Sequence, residues 1–124
     1  MTQPSAGDLA TAALLGVPGG QRPTLSLELI QQAEALAPER PELVWIELSI
    51  CRALHCQAME QIETHLQALD PGNGFVWTPD LVYAQSLGSE PEITEAIMRI
   101  GAGPHMNYYW NRLVVMTVDS LALA

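Results

Sequence analysis

Pro38, Pro71 and Pro104 stand 33 residues apart, and Trp45, Trp77 and Trp110 follow them by seven, six and six residues. Proline lacks an amide hydrogen and its ring clashes with the preceding turn, so each of these positions closes one helix or opens the next. A tryptophan at a short, nearly constant distance beyond each stop then sits early in the following helix. The unit this predicts is helix, turn, helix, repeated about every 33 residues. A single hairpin of that size leaves one apolar face bare. A second hairpin stacked on it covers that face, so neighbouring units stabilise one another along one dimension. Each buried indole would contribute on the order of 3 kcal/mol. Trp45, Trp77 and Trp110 are therefore expected at equivalent, largely buried positions.

Local signals supply the rest of the helices. Ser5 and Asp8 are placed to cap a first helix, Leu9 to Leu15, closed by Gly16, and Val17–Pro23 reads as a loop because its paired glycines and flanking prolines interrupt regular structure. Thr24 or Ser26 caps a second helix with Leu29, Ile30, Ala33, Leu36 and Ala37 at helical spacing, stopped by Pro38. A third runs from near Pro41 to about Leu54 with Val44, Trp45, Leu48, Cys51 and, less regularly, Ile46 and Ile50 on a wide apolar face; a fourth carries the narrow stripe Met59, Ile62, Leu66, Leu69. After the turn Asp70–Gly74, the order Thr78, Pro79, Asp80 matches N-cap, N1 proline and acidic N2, which starts a fifth helix there, closed by Gly88. Ser89 to Glu92 has the form of a capping box for a sixth, through Ile93, Ile97 and Ile100, ended by Gly101–Pro104. The seventh spans about Met106 to Leu121. No alternating apolar pattern marks a strand. The expected fold class is all-α, about seven helices in stacked hairpins, with units near 5–37, 41–70 and 75–101 and a terminal helix at 105–122, all in one domain covering 1–124.

The junction Ala68-Leu-Asp-Pro-Gly-Asn-Gly-Phe-Val-Trp77 resembles the boundary between two tetratricopeptide repeats, where one helix ends in an Ala-Leu-x-x-Pro-like stretch and the next begins with a tryptophan. Trp45-x-x-Leu48-Ser49 is similar to that family's Trp-x-x-Leu-Gly, and Trp110-x-x-Leu113 keeps half of it. The family's helix A tyrosine is replaced by Arg52 and Thr117. The resemblance implies a right-handed α-solenoid fragment and a role in protein–protein interaction.

Charge narrows the partners. Five arginines and no lysine face fourteen acidic residues, for a net charge of −9. Nucleic-acid affinity comes largely from cationic side chains neutralising phosphates, and Arg22, Arg40, Arg52, Arg99 and Arg112 are scattered, so neither nucleic acid nor an anionic membrane is an expected partner. No stretch reaches the ~18 apolar residues that span a bilayer. The first residues, Met1 to Asp8, have no basic or apolar leader character. A cytoplasmic protein is the default expectation; a periplasmic one from which an export signal had been removed would read the same.

Few residues invite chemistry. Cys51 and His55 are four apart on one helical face, with Cys56 at the following turn and His65 on the next helix. That spacing lacks the paired elements of a zinc site, yet it keeps open a thiol- or metal-dependent protein built on Cys51, His55 and Cys56. A disulfide between Cys51 and Cys56 suits the turn better than a metal, because a turn brings Cα atoms within the ~4.4–6.8 Å that such a bond needs. It requires an oxidising compartment, and two reduced cysteines packed as small hydrophobes are the alternative. There is no nucleophile elbow, no phosphate-binding glycine loop, and no carboxylate pair off the predicted polar faces or first turns, so no enzyme, cofactor or metal is expected. The last helix is different. Its polar residues Asn111, Arg112, Thr117, Asp119 and Ser120 are spread around the wheel. Unless helix one or two folds back over it or the native chain continues past Ala124, Leu113, Val114, Val115, Met116, Val118 and Leu121, with Tyr108 and Tyr109 before them, are an expected interface for a protein partner or a second copy. In this reading Trp110 packs in the core while the two tyrosines straddle its edge. The expected function is a non-catalytic interaction or scaffold module.

Overall fold

The computed structural model describes residues 3–16 and 23–122. Most of the loop expected at 17–23 lies outside the described residues. Among them are seven α-helices, α1 (Ala6–Gly16), α2 (Pro23–Leu36), α3 (Pro41–Leu54), α4 (Met59–Leu69), α5 (Thr78–Leu87), α6 (Glu90–Ala102) and α7 (Trp110–Ala122), with a 3-10 turn at Gly74–Trp77 and no strand. The described fold is all-helical, and none of these helices is long and apolar enough to cross a membrane. The chain forms two compact units, Met1–Ile62 with Tyr109–Ala124, and Glu63–Tyr108.

In the first unit α1 packs against α2, α3 and α7, and α2 packs against α3. Ser5 and Asp8 bond reciprocally: the Asp8 amide donates to Ser5 Oγ at 3.1 Å and the Ser5 amide to Asp8 Oδ2 at 3.2 Å. This satisfies two amides at a helix start that the helix itself leaves without partners. Ala10 and Ala13 of α1, Ile30 and Ala33 of α2, Leu43, Ile46 and Ile50 of α3 and Met116 of α7 form the core. The small α1 residues let neighbouring helices approach closely. Val44, Leu48 and Cys51 lie on a different side of the α3 wheel from Leu43, Ile46 and Ile50 and are buried as well, so α3 is covered on more than one side. Ser120 of α7 donates a hydrogen bond to Asp8, and with the Ser5 bonds this holds the Asp8 pKa below the ordinary carboxylate value. The covering of one side of α7 by α1 joins the two ends of the sequence. Stacking of successive hairpins would instead keep contacts between sequence neighbours.

In the second unit α5 and α6 pack together and both touch the 3-10 turn. Gly88 joins them in the left-handed conformation, φ 65°, where an absent Cβ avoids the steric cost. Ala84 and Ala96 are buried. The segment 70–77 is tied to 103–107 through Asn73, whose side chain is fully buried and hydrogen-bonded on both its oxygen and its nitrogen.

Four helix starts differ from expectation. Neither Thr24 nor Ser26 caps α2, which begins at Pro23 and contains both of them. Thr78 does not cap α5: Trp77 occupies that place, and Thr78 Oγ1 donates to the Phe75 carbonyl at 2.7 Å, because the 3-10 turn runs straight into the helix. Ser89 stands at the N-cap of α6 without a side-chain cap bond. The last helix begins at Trp110 rather than Met106, since Asn107 is drawn to Asn73 and Tyr109 takes a left-handed φ of 64°. That late start decides the aromatics. Tyr109 is fully buried and Trp110 is 71% exposed, the reverse of the expected placement.

Candidate functional site

The exposed side of α7 is the most distinctive apolar surface of the first unit. Trp110, Val114, Val118 and Leu121 follow one another at steps of four, four and three, which keeps them within a narrow arc of the wheel. All four are exposed, as is Val115 on the adjoining edge. Of the expected interface residues within α7, two belong elsewhere: Met116 is buried in the core and Leu113 packs against that core, because these positions face α1. Tyr108 is exposed, with its ring edge-on to Phe75 at 4.8 Å in the second unit, and Tyr109 is buried. Of the expected set, Val114, Val115, Val118 and Leu121 remain available on α7, and Trp110 joins them.

The repeat positions are not equivalent. Trp45 and Trp77 are half-buried, each with a guanidinium over its ring, Arg52 at 5.4 Å and Arg99 at 5.3 Å. Trp77 Nε1 also donates to the Pro71 carbonyl at 3.0 Å. Trp110 shares neither the burial nor, among the described residues, such a cation. Pro38, Pro71 and Pro104 all sit in exposed turns between helices.

Cys51 and Cys56 are joined as a disulfide, with Cα atoms 5.0 Å apart. His55 between them takes the left-handed conformation at the end of α3, and the Cys56 amide donates back to the Cys51 carbonyl at 3.1 Å. In this form neither sulfur offers a thiolate, and His55 points the chain round a turn. No cluster of three or more His, Cys, Asp or Glu side chains able to hold a metal ion occurs among the described residues.

The second unit has a shallow groove of about 180 Å³ beside α5 and α6, lined by Asp80, Tyr83, Glu92, Glu95 and Arg99 among others. Arg99 bonds Glu95 at 2.8 Å and lies 3.9 Å from Asp80. Three carboxylates around one guanidinium leave it acidic.

Buried carboxylates are the feature that the sequence reading missed. Glu42 is 4% exposed and meets Arg40 at 2.6 Å and Arg112 at 3.4 Å. Glu47, 9% exposed, instead faces Glu34 of α2, and Gln31 Nε2 donates to it at 3.4 Å. Burial first, then the neighbouring Glu47 charge and a hydrogen bond to it, push the Glu34 pKa from 4.5 up to about 9. The signal was present in the sequence: Glu42 directly precedes, and Glu47 interrupts, the apolar stretch Leu43 to Leu48.

This pair has a pH signature. A carboxyl whose folded pKa is raised contributes full stability below its unfolded value near 4.5, and that contribution is lost as pH rises towards about 9. Glu34→Gln keeps the neutral form at every pH. It should match the parent near pH 4.5 and exceed it at pH 8.5 by about 1–2 kcal/mol, well below the full linkage value because water reaches part of Glu34. Thermal melts of both proteins across that range would show a widening gap; a constant gap would contradict a raised Glu34 pKa.

Comparison with protein-family models, with curated proteins and with solved structures returns no match to this chain.

Proposed function

We propose that this chain is a non-catalytic protein-interaction module that binds its partner through the exposed face of α7. The observation that carries the reading is Trp110. A large aromatic 71% exposed at the head of an apolar stripe leaves contiguous apolar surface in water, and such patches mark binding sites. Tryptophan is also among the residues that most often dominate binding energy, because one ring buries a large area with few rotatable bonds. The net charge of −9 and the dispersed arginines favour a protein over nucleic acid as partner. The 33-residue proline and tryptophan period, and its resemblance to tetratricopeptide repeats, support a helical scaffold of the kind used for docking. Because α7 packs on α1 with one side, this reading assigns binding to the outer face of α7 rather than to a concave groove.

A photo-activatable residue at position 118, in the full chain expressed in its native cells, should cross-link to a discrete protein. The same probe at Thr64, exposed on α4, serves as the control. Trp110→Ala should reduce the cross-link about tenfold or more, the effect of removing a central aromatic anchor. Equal labelling from positions 118 and 64 would overturn the assignment.

A further inference from the structure

The turn between α3 and α4 holds both cysteines and one of the two non-glycine residues, among those described, with a positive φ. His55 sits there at φ 56° and ψ 48°, the left-handed conformation that closes many helices and is usually filled by glycine. A residue with a Cβ meets a steric penalty in it and stays only where its surroundings impose the geometry. His55 is exposed, so packing of its imidazole does not impose it. The closed ring does. Cys51 and Cys56 flank His55 in a disulfide with Cα atoms 5.0 Å apart, and the His55 and Cys56 amides both donate to the Cys51 carbonyl, the latter at 3.1 Å.

A disulfide whose closure holds a neighbouring residue in an unfavourable conformation is easier to reduce than one that closes a relaxed turn. The loop is also short, with a sequence separation of 5, and short loops are those where a cross-link constrains the unfolded chain least. Both features mark an exchangeable bond rather than a structural staple. The two sulfurs are not equivalent either. Cys51 lies in the last turn of α3 and is 2% exposed, and Leu54 of the same turn packs against the core. Cys56 lies beyond the helix and is half-buried. An external thiol therefore reaches Cys56 and not Cys51.

We propose that Cys56 is a site of reversible exchange with small thiols and disulfides of the glutathione class, and that Cys51 is its buried resolving partner. In the oxidising direction the Cys56 thiolate attacks one sulfur of a small disulfide, forms a mixed disulfide and releases one small thiolate. Cys51 then gives its proton to solvent and attacks Cys56 Sγ, which closes the ring and releases the second small thiolate. Two protein thiols are oxidised and one small disulfide is reduced to two thiols. In reverse, a small thiolate attacks Cys56 Sγ, Cys51 leaves and takes up a proton, and a second small thiolate frees Cys56 as the small disulfide re-forms. Opening the ring releases His55 from the left-handed region, so the thiol balance of the surroundings sets the conformation of the α3–α4 turn.

The test equilibrates the full chain in buffers of varied glutathione thiol-to-disulfide ratio, then counts free thiols by alkylation and mass spectrometry. The bond should open and re-form reversibly within that range while far-UV circular dichroism shows the helices retained. Brief alkylation of the reduced chain should mark Cys56 about tenfold faster than Cys51 or more, which trypsin resolves by cutting after Arg52 between them. Amide hydrogen exchange at His55 and Cys56 should accelerate about tenfold or more on reduction. His55→Gly should move the midpoint towards the oxidised form about fivefold, because glycine meets no penalty in the left-handed region. A bond that stays closed at the most reducing ratio, or never forms at the most oxidising one, overturns the proposal. So does equal alkylation of the two cysteines, an unchanged midpoint in His55→Gly, or a chain that unfolds as a whole on reduction.

Discussion

Asn73→Ala should lower the stability of the second unit by about 3–5 kcal/mol, on the scale of the loss of several buried hydrogen bonds together. Asn73 is 0% exposed, and its side chain uses both ends. Oδ1 accepts from the Phe75 amide at 3.1 Å and the Asn107 amide at 2.8 Å, while Nδ2 donates to Asp70 Oδ2 at 3.2 Å and the Asn107 carbonyl at 2.8 Å. Alanine removes four bonds and supplies no replacement at a site closed to water, so backbone groups there bear the desolvation cost. Asn73→Asp is the sharper variant. It keeps the acceptor but loses the donor and places a carboxylate against Asp70, so it should destabilise most at neutral pH and recover partly in acid. Thermal denaturation followed by the signal of Trp77, which lies in this unit, would read both variants. A loss below ~1 kcal/mol for alanine would mean that the tie between the two segments is incidental.

The second large effect lies two residues from a position expected to have the opposite sign. A Cβ added to Gly103 would stand 2.8 Å from the Gly74 amide nitrogen and 2.9 Å from the Gly72 carbonyl oxygen, both backbone atoms that cannot swing aside. The Gly103 backbone itself, φ −64° and ψ 132°, suits any residue, so the cost of Gly103→Ala is purely steric. It should be about 3 kcal/mol, towards the upper end for overpacking because backbone rather than a rotamer must move. Gly101, inside α6, has nothing within 4 Å of such a Cβ. Gly101→Ala should stabilise by about 0.5–1 kcal/mol by restricting the unfolded chain and improving helix propensity. Chemical denaturation of the two variants side by side would test the close approach of 72–74 to 103. Two changes of the same sign would contradict it.

The contrast between these glycines shows what a one-dimensional reading can reach. Gly101 and Gly103 looked alike in sequence, a paired stop before Pro104, and the stop falls where expected, with α6 ending at Ala102. Only the arrival of residues 72–74 from 29 or more positions earlier separates their roles. The same holds for the candidate site. The apolar excess of the last helix was legible from its wheel, but the division into a core edge and an outer stripe depended on where α1 lies. Met116 and Leu113 therefore left the expected interface, and Trp110 entered it. Glu34 and Glu47, on separate helices, became a pair only when α2 packed on α3.

Helices α3 and α4 begin and end where their prolines and apolar stripes indicated, because caps, breakers and periodic faces act within a turn or two of the chain. The sequence by itself determined that this protein is helical, acidic and broken at Pro38, Pro71 and Pro104. The tertiary structure decided where α7 starts. A bond between Asn73 and Asn107, 34 residues apart, and a left-handed Tyr109 halt the helix short of Met106. Starting the helix at position 110 turns Tyr109 inward and leaves Trp110 in solvent. Neighbouring aromatics of similar hydrophobicity carry no local signal for that choice; it is made by what packs against them.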